Sequence, residues 1–252
     1  MRMNKIAIMQ PYFFPYLGYF QLIDKVDQFL LYPHVDFRRR SFISRNHLVT
    51  PSNEVFPICI NTKKAPLGTS INDIQMSPDF DRLKLLRQIQ TLYSNAPYFE
   101  SIFNVLKNLL EYDSKGLLDF NNRCIATLCH HLGIDTPILS GIEFDQDWLE
   151  VETVIRAEHP NLSTFPIATK RVLALCQLHN ADTYVNPPGG RAIYKADDFA
   201  SRNKSLLFLN PDITKHRSTQ ETVLQSASII DVLMVNGWHN TKEIVRLGNL
   251  IT

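Results

Sequence analysis

Residues 6–20 read Ile-Ala-Ile-Met-Gln-Pro-Tyr-Phe-Phe-Pro-Tyr-Leu-Gly-Tyr-Phe, a short apolar strand that runs into a loop dense in aromatics and proline before a helix begins. Pro11 and Pro15 have no N–H with which to continue a ladder, so the strand spans 6–9. A helical pattern starts at Leu17, with Gly18 permitting close approach, and covers 17–25, and a second apolar strand covers 28–32. Strand, helix and strand in so short a span form a β-α-β unit with parallel strands. The aromatic loop then lies at the carboxyl end of the first strand, where open α/β sheets bind small molecules.

Beyond this unit, 55–60 reads as a third apolar strand. The middle of the chain turns helical: 79–93, 97–110 and 116–132 carry apolar residues at helical spacing, with Asn95-Ala96-Pro97 and Gly133 as boundaries. From Pro137 the alternation returns, with strands at 138–141, 183–185 and 206–209, helices near 168–178 and 195–201, and final helices at 229–235 and 241–250. The expected architecture is α/β, a Rossmann-like parallel sheet start with a largely helical middle layer. It forms one domain over 1–252, with the segment at about 79–133 inserted or layered on it.

Composition narrows the classes of function. A formal net charge of +1 gives no global reason for nucleic-acid or membrane binding, so any anion site must be local. No apolar run approaches the roughly 18 residues of a membrane span. The basic start Met-Arg-Met-Asn-Lys precedes an apolar stretch too short for a signal peptide, so a cytoplasmic protein is expected. Cys59, Cys124, Cys129 and Cys176 show neither Cys-x-x-Cys nor zinc-type spacing and read as buried free thiols. His130 and His131 are adjacent on a helix and face different directions, so no metal site is expected.

Four constellations can carry chemistry, and each has a structural competitor. Gln10 puts an amide at a strand end, where it can bond a ligand or satisfy loop backbone, and Tyr12, Tyr16 and Tyr19 can form a stacking wall or serve the core. Arg38-Arg39-Arg40, followed by Arg45-Asn46, can grip a diphosphate through the guanidinium fork or form a solvated face. Asn186-Pro-Pro-Gly-Gly-Arg191 follows a strand, so Gly189 and Gly190 can bring backbone N–H groups to an anion, with Arg191 and Tyr194 contributing side chains; a tight turn alone uses the same residues. Asp231, inside an apolar run, is either a desolvated base or, at capping-box spacing from Ser228, a helix cap.

The blocks Met9-Gln-Pro-Tyr-Phe-Phe-Pro-Tyr-Leu-Gly-Tyr-Phe20, Asn95-Ala-Pro-Tyr-Phe99, Leu132-Gly-Ile-Asp-Thr136, Pro187-Pro-Gly-Gly-Arg191 and Ser228-Ile-Ile-Asp231 together resemble the WbqC-like family, in order and across nearly the whole chain. That resemblance implies a bacterial surface-polysaccharide pathway, such as O-antigen of lipopolysaccharide, more than a particular reaction. Met9 stands where family members often carry His. As a fold-level analogy, the first strand and Gly18-Tyr19 also look like the start of the nucleotidyltransferase and adenylating-ligase superfamily, with Tyr19 where a His normally follows the glycine.

The expected function is therefore an enzyme that modifies a nucleotide-linked amino sugar by acyl or aminoacyl transfer. Gln10 and Asp231 are its candidate catalytic residues, Arg38 to Arg40 and Arg45 hold the diphosphate, and Gly189-Gly190 hold a second substrate or developing oxyanion. The second substrate is ATP or an activated acyl or aminoacyl donor, with charged tRNA as the one nucleic acid admitted, and other glycan-pathway enzymes are possible partners. The alternatives are a non-catalytic nucleotide-sugar or glycan-binding partner and a nucleotidyltransferase or adenylating ligase.

Overall fold

The computed structural model describes residues 3–50, 52–140, 142–158, 167–213 and 227–252. Its centre is the unit the opening sequence implies. Strand β1 (Lys5–Met9) is followed by helix α1 (Leu17–Asp24) and by β2 (Gln28–Leu31), which pairs parallel to β1 with Ile6 opposite Gln28 and Met9 opposite Leu31. Beyond β2 lies β5 (Ile138–Leu139); on the other side of β1 lie β6 (Thr183–Asn186), β7 (Ser205–Asn210) and β8 (Asn249–Ile251). The order is β5-β2-β1-β6-β7-β8, parallel throughout except for β8, which runs antiparallel to β7. The chain steps outward from β1 to β2 to β5 and then crosses back to β6. The topological switch point therefore lies between β1 and β6, where crossovers leave in opposite directions and open a crevice.

Side chains alternate across the sheet and divide the core in two. Ile6, Ile8 and Leu30 pack with Tyr184 against α5 (Ile142–Glu158), α6 (Ile167–Leu178) and α7 (Ala196–Ala200), through Trp148, Val151, Val172, Leu175 and Phe199. Ala7, Phe29, Leu31 and Val185 face a larger core shared by α1, α2 (Arg82–Tyr93), α3 (Phe99–Glu111), α4 (Leu117–Leu132) and α8 (Ile229–Val245). The helical middle is thus layered on one face of the sheet, beside a two-stranded antiparallel ribbon of β3 (Arg45–Val49) and β4 (Val55–Cys59). Local signals explain its boundaries: the Asp81 carboxylate accepts the Lys84 N–H at 2.7 Å and caps α2, and Gly133 ends α4 in the left-handed region.

Four expectations change. The strand at 55–60 belongs to the ribbon and not to the central sheet, and its partner β3 carries Arg45 and Asn46, which the sequence placed in a phosphate-gripping stretch. Helix α5 was not anticipated, because the acids and amides between Ile142 and Trp148 obscure its period. The helices expected at 229–235 and 241–250 are the two arms of α8, separated by a non-helical Gly237 (φ 69°, ψ 177°); what changes is the end, since the second arm stops at Val245 and Asn249–Ile251 adds an edge strand. Of the four cysteines, Cys59 is exposed and the other three are buried. Gly141, the last residue of one expected strand, lies outside the described residues. Among the described residues no helix is long and apolar enough to cross a membrane.

The loop after β1 is fixed by its carbonyls. Two prolines and a left-handed Phe14 (φ 40°) keep it out of any ladder, so its buried backbone oxygens need side-chain donors. They receive them from four distant places. The Tyr19 hydroxyl donates to Gln10 O (2.8 Å) and the Asn121 amide to Pro11 O (2.9 Å). The Asn46 amide donates to Phe13 O (3.1 Å) and Phe14 O (2.6 Å), and the Ser228 hydroxyl donates to Phe14 O (3.0 Å). Removing the Asn46 amide leaves one buried carbonyl without this donor and weakens a second, each such loss costing about 1–3 kcal/mol. Asn46→Ala is expected to destabilise the fold by about 2–4 kcal/mol in urea unfolding; a change below about 0.5 kcal/mol, the size of an ordinary surface substitution, contradicts the clamp.

Candidate functional site

A cleft of about 490 Å³ opens at the carboxyl ends of the strands, over the β1/β6 switch point. One wall is the first loop: Met9, Gln10, Tyr12 and Tyr16 line it. Tyr12 and Tyr16 lean on Phe42 at centroid distances of 5.5 and 6.0 Å, and Tyr12 also leans on Tyr19 at 5.5 Å. Opposite stands the turn after β6, with Asn186, Gly189, Gly190 and Tyr194 lining. Tyr32 and Val35 contribute from the end of β2, and Arg171 with Val172 and Leu175 from α6.

The two glycines of the turn do different things. A Cβ on Gly190 would collide with the Asn186 side-chain oxygen, so this position must be glycine for the turn to close on the strand end. Around Gly189 a Cβ would meet only open space, which leaves its backbone accessible from the cleft. The turn itself is a 3-10 segment, Pro188–Ala192, closed by Gly190 N–H donating to Pro187 O at 2.9 Å. Asn186 is braced in turn by its amide, which donates to the Tyr184 hydroxyl.

Electrostatically the cleft is neutral save for one group. Burial raises the pKa of Tyr12, Tyr16, Tyr32, Tyr184 and Tyr194 above the ordinary phenol value, so at neutral pH these hydroxyls stay protonated. Among the described residues that line the cleft there is no Asp, Glu, His, Lys or Cys, and Arg171 is the one charged side chain. Its Nε donates to Glu152 Oε1 at 2.7 Å and its guanidinium carbon lies 4.8 Å from the Trp148 ring centre. Among the described residues no three His, Cys, Asp or Glu side chains gather as a metal site would require.

Of the residues singled out from sequence, the structure brings Gln10, Tyr12, Tyr16, Gly189, Gly190 and Tyr194 together in the cleft. The others stand elsewhere. Tyr19 is fully buried behind the loop, and Asn46 is the clamp residue already described. Arg38, Arg39, Arg40 and Arg45 are exposed and do not line the cleft. Arg191 turns away, over the Phe208 ring at 4.4 Å, and donates to Thr252 O at 3.0 Å. Sequence reading missed Tyr32, Arg171, Tyr184 and Asn186; Asn186 was quoted with its turn, but Arg171 sits inside a helical pattern with no local mark of function.

Asp231 also lies outside the cleft lining. Its carboxylate accepts from Val49 N–H at 3.0 Å and from the Tyr93 hydroxyl, tying α8 to β3 and α2. The expected capping box does not close: Ser228 does cap the helix, its oxygen accepting from Ile230 N–H at 3.3 Å, but its own N–H donates to His47 O at 3.0 Å. Burial raises the Asp231 pKa from 3.8 to about 7, against the opposing effect of its hydrogen-bond donors.

The features so far define a class: a Rossmann-like α/β protein with a ligand-sized, aromatic cleft at its switch point. Within that class, the WbqC-like protein family matches residues 10–243, and the chain belongs to that family. It is also similar to the uncharacterized protein Rv1507c of Mycobacterium tuberculosis, with 25% identity over 191 residues that cover 75% of each chain. No solved structure matches it.

The raised carboxyl of Asp231 has a signed consequence for stability. The folded state holds this proton more tightly than the unfolded chain, so stability is greatest below about pH 3.8 from this group, falls as pH rises to about 7, and is level above that. Asp231→Asn keeps an acceptor and removes the titration. The melting temperature of the variant minus that of the native protein is therefore expected to rise between pH 4.5 and pH 8, followed by calorimetry; a difference independent of pH contradicts the assignment.

Proposed function

We propose that the cleft binds a nucleotide-linked amino sugar and that the protein serves surface-polysaccharide assembly, on the cytoplasmic side, by transferring an acyl or aminoacyl group to the sugar amine. The observation that carries this reading is that Gln10 and the Gly189-Gly190 turn line one cleft at the switch point, where doubly wound sheets take nucleotides. Tyr12 and Tyr16 offer rings for stacking, the protonated tyrosine hydroxyls offer donors to sugar oxygens, and the family's association with O-antigen clusters supplies the pathway.

In the step proposed, the free amine of the sugar attacks the carbonyl carbon of an activated acyl donor. A C–N bond forms, the leaving group departs with the electron pair of the bond it loses, and the amine proton passes to that leaving group or to water. Gln10, an amide with no acid–base capacity, would act by donating to the carbonyl oxygen and by fixing geometry. Asp231, outside the cleft, takes a structural part in this reading.

A second reading has its own observation. No described residue of the cleft lining is a carboxylate or a histidine, and this favours, as the second reading, a non-catalytic protein that binds the nucleotide sugar and presents it to other glycan enzymes. Purified protein incubated with nucleotide-amino sugars together with ATP and amino acids, acyl-CoA or charged tRNA decides between them. Transfer predicts a sugar product heavier by one acyl or aminoacyl group in mass spectrometry, sensitive to Gln10→Ala. Binding without any mass change supports the partner reading, pyrophosphate release from a sugar phosphate and a nucleoside triphosphate marks a nucleotidyltransferase, and neither binding nor turnover overturns the cleft's assignment.

A further inference from the structure

We propose that Arg171 is the anion receptor of the cleft, and that the group it holds is the phosphate of the sugar nucleotide. This inference rests on the nucleotide-sugar reading and moves the anion site from the exposed arginines 38–40 to a single residue on α6. The cleft ligand meets one positive charge and, among the described lining residues, no negative one. That charge is paired with Glu152 through Nε alone, and an oxyanion in the cleft adds a second acceptor to the same guanidinium.

The side chain is held ready for this. Glu152 accepts from the Nε edge at 2.7 Å, and the guanidinium carbon sits over the Trp148 ring, 4.8 Å from its centre. Trp148 is itself stacked on His34, with ring centres 5.4 Å apart and planes 2° from parallel, and His34 is paired with Asp145 at 2.6 Å. The pair with Glu152 uses Nε, and the Tyr32 hydroxyl on the cleft wall also interacts with the guanidinium, so a phosphate would be received by the terminal nitrogens beside Tyr32. Both partners are shielded, with side-chain exposures of 29% for Arg171 and 21% for Glu152, so an arriving oxyanion interacts with weaker solvent screening than at the exposed Arg38–Arg40 run. Arg171 also lines a second depression, of about 420 Å³, on the α5 side of the cleft, which places it at the junction of two concavities.

The test uses the whole chain and compares UDP-N-acetylglucosamine, UDP, UMP, glucuronate and uridine by calorimetry, with saturation-transfer NMR for the weak neutral ligand. Because Arg171→Gln alone strands the Glu152 carboxylate, the paired variant Arg171→Gln with Glu152→Gln is measured beside it. Phosphate-bearing ligands are expected to lose affinity on the order of 10- to 100-fold in both variants while uridine binding is unchanged. Glu152→Gln alone, which removes the competing carboxylate, is expected to tighten the phosphate ligands. Undiminished phosphate binding in the variants overturns the role of Arg171 and leaves the nucleotide-sugar reading standing. An equal loss for uridine makes Arg171 a packing residue and overturns the proposal. Glucuronate binding with the same dependence, in place of the phosphates, reassigns the residue to a carboxylate, and native protein that binds none of the nucleotides defeats both readings.

Discussion

The Asn46 amide, bonded at once to the carbonyls of Phe13 and Phe14, is the contact on which the rest of this structure depends. A loop with two prolines cannot close its own hydrogen bonds, and this loop carries Phe13 and Phe14 into full burial. The oxygens of Gln10, Pro11, Phe13 and Phe14 are therefore taken up by side chains from β3, α4, α1 and the start of α8, elements spread over more than two hundred positions of sequence, while Pro15 O accepts from the Ile229 N–H. The helical middle and the ribbon have a shared purpose in this arrangement. They supply the donors and apolar surface that hold the loop from behind, so that Gln10, Tyr12 and Tyr16 face forward into the cleft.

The sheet has the complementary task. Parallel strands of opposite crossover direction meet at β1 and β6, and the two segments that leave their carboxyl ends must diverge. What fills the gap is decided by small details: the Gly190 backbone drawn close to Asn186, and the open space at Gly189. The resulting cleft is rich in neutral hydroxyl donors and poor in groups that exchange protons near pH 7. Such a lining suits recognition and alignment of a ligand more than proton exchange with it.

The central fold was legible because its signals are local. The apolar run 6–9, the prolines that end it and the helical period from Leu17 fix a parallel β-α-β unit before any tertiary contact is considered. The helices on either side of Ala96, and the one that Gly133 ends, were legible for the same reason. Elements whose identity rests on partners were not: β3 alternates polar and apolar residues only weakly, and β8 is a strand because the edge of β7 is there to receive it. The site divides along the same line. Gln10 and Gly189-Gly190 sit at strand ends and announce themselves, whereas Tyr19, Asn46 and Asp231, equally suggestive in sequence, point into the structure, and Arg171 becomes notable only once α6 is packed on the sheet.

The switch-point cleft, and not the exposed arginine run, is the proposed seat of the ligand. A crystal structure of the full chain with a bound nucleotide-amino sugar tests it most directly. The account predicts the ligand between Gln10 and Gly189, its phosphate oxygens within hydrogen-bond reach of Arg171 and a ring of the ligand against Tyr12 or Tyr16. A ligand seated on Arg38, Arg39 and Arg40 with the cleft empty would contradict it.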